Sequence, residues 1–249
     1  MSGHSRWSKI KRQKGANDNK RSAIYTKLLK EIQVSVKLGG PDTDGNARLY
    51  AAIQAAKSNN MPKENIERSI KKASGADAEN FTEITYEGLT GNKVALVIEC
   101  TTDNTNRSVA NIRHILGKYN GQLVPPGTHE FIFDQKGIIT FPEPKINRDE
   151  WELELIDAGA EEIDIEDTLV TLSTSRENFG SVQKKLRELK IEIDSASLQR
   201  IPKILKKLEL EEARKALKVI DALEEDEDVQ NIYHNLEMTE EIASIYENA

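Results

Sequence analysis

The spacing of apolar residues changes near residue 75, and this change constrains the fold more than any other feature of the chain. Before that point, apolar residues recur every four positions at Ile24, Leu28, Ile32 and Val36, which is the spacing of one buried helix face. After it, the stretch TEITYEGLTGNKVALVIECTT alternates apolar and polar residues around a Gly-Asn turn, as β-hairpins do. The sequence therefore predicts a helical N-terminal module followed by mixed helix and strand units.

The N-terminal module is predicted to contain three helices. The first spans residues 17–38 and ends at the segment GGPDTDG, the second spans 46–58, and the third begins at Pro62 and ends at Gly75. Proline suits the first position of a helix and glycine suits the position after its end. We therefore expect a compact, basic, all-helical domain over residues 1–75.

The rest of the chain alternates strand and helix patterns, which indicates an antiparallel sheet covered by helices. In segment 94–142 a strand and a helix precede HEFIFDQKGIITF, interpreted as a hairpin turning at residues 135–137. The helix and strand in 209–235 could complete that unit, so we predict an α/β domain interrupted by a second one; two sequential domains split near 144 are the alternative. The predicted domains are 76–145 with 203–238, an inserted α/β domain at 146–202, and a C-terminal extension at 239–249.

Charge is divided unevenly along the chain. Residues 1–72 carry a net charge of +10, residues 73–148 carry -2 and residues 149–249 carry -15, which gives -7 for the whole chain. A basic module joined to an acidic body is typical of a protein that binds a polyanion through the basic module alone. Uneven charge on ordinary solvated surfaces is the simpler alternative.

Several classes of protein are disfavoured by the sequence. The single cysteine, Cys100, excludes an internal disulfide and a cysteine-based zinc site, and its place in VALVIECTT predicts a core thiol. No apolar run is long enough to cross a bilayer and no secretory signal is evident, so a cytoplasmic location is expected. Phosphate-loop, dinucleotide and metalloprotease motifs are absent from the sequence, and we expect no enzyme activity, cofactor, metal or small-molecule substrate.

The basic residues are the candidate binding residues for DNA or RNA. Each lysine or arginine can neutralise one phosphate, and Trp7 can either stack on an unpaired base or anchor the arm to the helical domain. In the third helix, Lys71 and Lys72 are equally explained as partners of the helix dipole. The predicted nucleic-acid-binding residues are His4, Arg6, Trp7, Lys9, Lys11, Arg12, Lys14, Lys20, Arg21, Lys27, Lys30, Lys63, Arg68, Arg107 and Arg113.

Two further polar stretches have competing interpretations. TDNTNRSVANIRH (residues 102–114) lies where a strand passes into a helix, so Arg107 and the helix N-terminus could bind an anion; Asp103 or Asn104 acting as a helix cap is the alternative. The acidic run EEDED, residues 224–228, is expected to be solvated rather than to hold a metal. It would repel nucleic acid or meet a basic partner.

Six strings in order along the chain resemble the YebC family of probable transcriptional regulators, which is related to a mitochondrial translational activator. They are GHSRWSKIKRQKGANDNKR with IYTKLLKEI, NNMPKENIERSIKKASG, YEG, TDNTNRSVANIRHILGKYNG, LQRIPK and DALEEDEDVQNIYHN. The resemblance implies an α+β multidomain fold: an N-terminal three-helix domain followed by two ferredoxin-like α/β domains, one inserted in the other. QLVPPGTHEF departs from the family's glycine-rich loop.

The resemblance implies two alternative roles. One is a DNA-binding regulator of transcription. The other is a ribosome-associated translation factor that binds ribosomal RNA and relieves stalling at difficult sequences such as proline runs. No helix-turn-helix reading helix is evident in the sequence, which mildly disfavours base readout in a major groove. An arm with a stacking tryptophan would suit RNA. Two other classes are alternatives to these roles: an enzyme that processes nucleic acid with Asp103, His114 and the acidic run, and an interaction adaptor whose basic arm is incidental.

Overall fold

The computed structural model describes residues 18–75, 78–166 and 168–247. Its helices are α1 (Asp18–Gly39), α2 (Ala47–Ser58), α3 (Lys63–Ala73), α4 (Thr105–Lys118), α5 (Arg148–Asp157), α6 (Phe179–Glu188), α7 (Leu210–Glu224) and α8 (Glu240–Glu247). Its strands are β1 (Thr82–Leu89), β2 (Ala95–Thr102), β3 (Gln122–Val124), β4 (Phe133–Pro142), β5 (Ala160–Glu166), β6 (Leu169–Ser175), β7 (Ser195–Pro202) and β8 (Val229–His234).

Helices α1, α2 and α3 form the predicted N-terminal helical domain. Ile32, Leu49 and Ile66, one from each helix, meet in a buried apolar cluster. The Asn46 side chain accepts a hydrogen bond from the backbone N–H of Leu49 at 3.0 Å and donates one to the backbone oxygen of Ser35 at 2.7 Å. Asn46 therefore caps α2 and ties it to the end of α1.

The strands form two separate four-stranded antiparallel sheets. The first sheet has the order β3-β1-β2-β8 and the second has the order β5-β6-β4-β7. The first sheet takes its edge strand β8 from the C-terminal part of the chain, and all strands of the second sheet lie between β3 and β8 in sequence. The prediction of two α/β units, one inserted in the other, is confirmed, whereas the exact domain boundaries stay a prediction.

The predicted hairpin at residues 135–137 is wrong. Residues 133–142 form one continuous strand, β4, which pairs with β6 and β7 in the second sheet, whereas the sequence predicts that this segment belongs to the first α/β domain. The reason lies at Gly137, where a Cβ atom would come within 2.2 Å of the Phe179 ring. The glycine marks a close approach between strand and helix rather than a turn.

Each sheet buries one face against two helices. In the first α/β unit, Leu96 and Ile98 of β2 join Ile112 of α4 and Ile220 of α7 in one cluster. Cys100 is buried in the same cluster, and its burial raises the pKa of the thiol to about 12. The prediction of a core thiol is therefore confirmed.

In the second α/β unit, helices α5 and α6 cover the sheet. The Phe141 ring of β4 meets the Trp151 ring of α5 edge to face, with centroids 5.9 Å apart. Such an arrangement is favourable for paired aromatic rings. Trp151 is fully buried, so this contact fixes one face of α5 to the sheet and leaves its opposite face outward.

Two stretches without a recognised motif have definite structure. In QLVPPGTHEF, strand β3 leads into turns that are held by the Glu87 carboxylate, which accepts the backbone N–H groups of Gly127 at 2.8 Å and His129 at 2.7 Å. In the C-terminal extension, α8 buries Ile242 and Tyr246 against the first α/β core. None of the helices in the described part of the chain has the length and apolar content needed to cross a membrane.

Candidate nucleic-acid interface

The predicted basic arm lies largely outside the residues that the structure describes. This holds for seven candidates: His4, Arg6, Trp7, Lys9, Lys11, Arg12 and Lys14. Lys20 and Arg21 belong to the first turn of α1, and their side chains are also outside the described part. Their role in binding nucleic acid stays a prediction.

Two predicted cations on α1 face the acidic loop that follows α7. The Lys27 Nζ donates to the backbone oxygen of Glu224 at 2.7 Å, and the Lys30 Nζ donates to the backbone oxygen of Glu227 at 2.7 Å. Cations are favourable at this end of a helix because its last carbonyl groups carry partial negative charge. We call Lys27 and Lys30 the inner cations, since they link the helical domain to the first α/β unit.

One of the inner cations, Lys30, binds the buried carboxylate of Asp228. One carboxylate oxygen accepts a hydrogen bond from the Lys30 Nζ at 2.9 Å. The other accepts from the Thr102 hydroxyl at 3.0 Å, the Ser108 hydroxyl at 2.8 Å and an Arg107 guanidinium nitrogen at 2.9 Å. The side chain of Asp228 is only 3% exposed. The five residues, here called the Asp228 cluster, join α1, β2, α4 and the loop before β8.

The pKa of Asp228 reflects two opposing effects. Burial alone would raise this pKa, because a carboxylate loses hydration inside a protein. Hydrogen bonds from Lys30, Ser108 and Arg107 outweigh burial and hold the pKa at about 2. Asp228 is therefore ionised at neutral pH, and its negative charge is shared between a lysine and an arginine.

The predicted anion site at the start of α4 contains a carboxylate from the chain itself. Asn104 caps the helix by accepting the backbone N–H of Arg107 at 3.1 Å, which agrees with the capping interpretation. Arg107 binds both Asp103 at 2.7 Å and Asp228 at 2.9 Å. The helix end thus already carries an anion, while a contact of Arg107 or of the exposed Arg113 with nucleic acid stays a prediction.

The sequence predicts that the acidic run 224–228 is solvated, but only part of the run is exposed to solvent. Glu225 and Glu227 are exposed. Asp228 is buried, and Asp226 accepts hydrogen bonds from the backbone N–H of Asp228 at 2.9 Å and from Asn111 at 3.1 Å. The two aspartates have structural contacts because the run ends at Asp228, directly before the first residue of strand β8. In the parts of the chain that the structure describes, no group of three His, Cys, Asp or Glu side chains could hold a metal ion.

A second set of cations lies on the exposed face of α3. Helix α3 buries Ile66 and Ser69 against the rest of the domain, so its opposite face carries Arg68 and Lys71, both exposed. These residues are three positions apart and are therefore neighbours on the helix surface. Within the described ranges neither has an ion-pair partner. We call Arg68 and Lys71 the outer cations.

The cations beside them are paired on the surface. The Lys63 Nζ lies 3.3 Å from Glu67, and the Lys72 Nζ lies 2.6 Å from Glu79. Both are exposed pairs, which contribute little and exchange readily with other anions. The four cations of α3, Lys63, Arg68, Lys71 and Lys72, outnumber its exposed acids Glu64 and Glu67, so the exposed surface of this helix carries net positive charge.

The helical domain is fixed to the first α/β unit at further points. Arg48 of α2 lies 2.7 Å from Glu31 of α1 and 2.6 Å from Glu83 of β1. The two carboxylates raise the pKa of the Arg48 guanidinium. The contact with Glu83 ties α2 of the helical domain to β1 of the first α/β unit.

The sequence did not reveal the polar partners inside the Asp228 cluster. Thr102 and Ser108 are not among the predicted binding residues, and in the sequence Asp228 is simply the last member of an acidic run. A weak signal was present, since Asp228 directly precedes the apolar strand VQNIYH, where a charged side chain needs a partner if it is buried.

Comparison with known proteins assigns the chain to a family over nearly its full length. Residues 5–76 match the model of the TACO1/YebC protein N-terminal domain, and residues 81–236 match that of the TACO1/YebC second and third domain. The chain belongs to the TACO1/YebC family. The resemblance inferred from the six sequence strings is therefore confirmed.

Relatives within the TACO1/YebC family carry a regulatory name. A "Probable transcriptional regulatory protein" of Amoebophilus asiaticus is 48% identical over 95% of this chain and 98% of its own. One from Chlorobaculum tepidum is 43% identical over 99% of each chain. The crystal structure of a conserved hypothetical protein from Aquifex aeolicus, 36% identical, matches with a TM-score of 0.77 over 90% of this chain and 93% of its own.

Proposed function

We propose that this TACO1/YebC protein is a regulator of gene expression that binds nucleic acid through its helical domain. The observation that carries the proposal is the outward basic surface of α3, with Arg68 and Lys71 exposed and without ion-pair partners in the described part. Lysine and arginine neutralise phosphates and release counterions, which supplies most of the sequence-independent affinity for nucleic acid. The basic residues of the arm would extend the same surface.

DNA is the first proposed target, and regulation of transcription is the proposed role. The names of the relatives support this choice, since those quoted are called probable transcriptional regulatory proteins. The acidic α/β units, whose charge repels phosphate, would confine contact to the basic surface. We place this activity in the cytoplasm.

Ribosomal RNA is the second candidate target, and one feature of α3 favours it. Glu64 and Glu67 are exposed among the cations of the same helix. A helix inside a major groove is flanked by phosphates on both sides, where these carboxylates would be repelled. One-sided contact with a backbone is more favourable, and recognition of RNA by shape would need only that. In this case the protein would act as a translation factor on the ribosome.

Sedimentation of cell lysate with and without nuclease separates the two targets. Co-migration with ribosomal subunits that survives DNase treatment would support the RNA candidate and overturn the DNA proposal. Crosslinking to discrete DNA sites, with no ribosomal fraction, is the expected result.

The contribution of the basic arm is tested with a variant in which Lys9, Lys11, Arg12 and Lys14 are changed to glutamine. This variant is expected to lose affinity for nucleic acid. The magnitude of the slope of log affinity against log salt concentration is expected to fall by roughly 4.

We further infer that the protein acts by binding and not by catalysis. The residues that an enzyme could use near α4 are Asp103 and His114. Asp103 forms an ion pair with Arg107, and His114 is exposed on the helix. The double variant Asp103→Asn, His114→Gln is expected to bind nucleic acid within about twofold of the parent. Loss of a turnover activity in that variant would contradict this inference.

A further inference from the structure

The outward face of α5 has an apolar centre. Trp151 and Leu155 are buried against the second sheet, and the opposite side of the helix carries Leu153, which is 60% exposed, and Ile156, which is 54% exposed. Residues three positions apart are neighbours on a helix surface. Isolated exposed aliphatic residues are common, but these two are adjacent on a helix that is already anchored by its other side.

The charged residues of α5 that lie one turn from Leu153 are acidic. Asp149 and Asp157 lie one turn before and after Leu153, and Glu150 lies beside them. Among the described residues none of these three carboxylates is within ion-pair distance of a cation. The other two acids of the helix do have cations, since Glu152 pairs with Arg148 at 2.5 Å and Glu154 pairs with Lys185 at 2.9 Å. The carboxylates around the apolar centre are thus the ones left without cations.

From this arrangement we infer that the outward face of α5 is a docking surface for a cationic, amphipathic segment of another protein. Aliphatic side chains of the partner would cover Leu153 and Ile156, and flanking lysine or arginine residues would meet Asp149, Glu150 and Asp157. A nucleic acid or an anionic membrane would be repelled by the three carboxylates. The inference is independent of the proposed nucleic-acid surface, which lies on α3 in a different domain.

The inference can be tested with the full-length protein and a synthetic peptide. The probe is a helical peptide of about 14 residues with leucine along one face and lysine on both flanks, and a scrambled peptide of the same composition is its control. Fluorescence anisotropy of the labelled peptide gives its affinity. We expect tighter binding of the helical peptide than of the scrambled one.

Two pairs of variants separate the apolar and charged contributions. The variant Leu153→Gln, Ile156→Gln is expected to weaken binding roughly 30-fold or more, because both aliphatic contacts are lost. The matched control Ile204→Gln, Leu205→Gln removes two other exposed aliphatic residues and should change affinity less than about twofold.

The contribution of the α5 carboxylates to peptide binding is tested with a second pair of variants. The variant Asp149→Asn, Asp157→Asn is expected to weaken binding about fivefold at low salt. The control Glu211→Gln, Glu212→Gln removes two exposed acids from α7 and alters the net charge equally, with an expected effect below about twofold. Circular dichroism checks that each variant is folded.

Several results would overturn the inference. They are equal binding of the scrambled peptide, no binding of either peptide, or equal losses in the test and control variants. Sedimentation velocity of the protein alone addresses one more possibility. If the parent self-associates and Leu153→Gln, Ile156→Gln abolishes that association, the occupant is a second copy of this chain and the proposed cationic partner is wrong.

Discussion

The inner and outer cations belong to one small helical domain but have opposite surroundings. Lys30 has a side chain only 13% exposed and binds the buried Asp228 carboxylate, whereas Arg68 and Lys71 are exposed on α3. The domain therefore uses one basic side to hold the acidic body and presents the other to solvent. Positive charge in this region serves two purposes, and only the contacts of each residue distinguish them.

The largest effect is expected from removing the shared anion. The substitution Asp228→Asn leaves Lys30 and Arg107 without their buried partner, and breaking such a pair costs about 3–5 kcal/mol of the free energy of unfolding. Chemical denaturation measures this loss. Glu227→Gln is the matched control, because it removes an exposed charge one residue away, and it is expected to change stability by less than about 0.5 kcal/mol.

A smaller loss is expected from removing an inner cation. Lys30→Met deletes one donor to Asp228 while Arg107, Thr102 and Ser108 remain, so we expect a loss of about 2 kcal/mol in unfolding free energy. The comparison variant is Lys71→Met on the outer surface, where a change below about 0.5 kcal/mol is expected. Similar losses in both variants would contradict the division into inner and outer cations.

Low pH should lower the stability of the folded protein, because it protonates the carboxylate of Asp228. The pKa of Asp228 is lowered from 3.8 to about 2 on folding. The unfolded chain thus takes up a proton before the folded one does, and stability falls as pH drops from about 4 towards 2. Asp228 contributes about 2 kcal/mol of this fall. Unfolding of the parent and of Asp228→Asn across this pH range measures that share, since the variant should lack it.

Much of the fold could be predicted from the sequence, because the spacing of apolar residues follows the buried faces of helices and strands. The helices α1, α2 and α3 and the strands β1 and β2 were found from apolar spacing and turn residues. The sequence predicts a hairpin where β4 is continuous, because Gly137 is required by the Phe179 ring, which is distant in sequence. Local patterns do not contain that contact.

The candidate interface was harder to predict, for a related reason. A lysine that will bind phosphate and a lysine that binds an internal carboxylate are identical in sequence. Lys30 and Asp228 are 198 residues apart, so their pairing depends on how the helical domain meets the first α/β unit. The basic arm and outer cations stay predictions, whereas the contacts of the inner cations became evident only from the fold.

The salt dependence of nucleic-acid binding distinguishes cations that contact phosphates from cations that bind internal carboxylates. The slope of log affinity against log salt is to be measured for the parent, for Arg68→Gln, Lys71→Gln and for Lys27→Gln, Lys30→Gln, at a temperature where all three are folded. We expect the outer variant to lower the magnitude of the slope by about 2 for duplex DNA and the inner variant to leave it unchanged. A lower slope in the inner variant with an unchanged slope in the outer one would contradict the proposal that the outer cations contact nucleic acid.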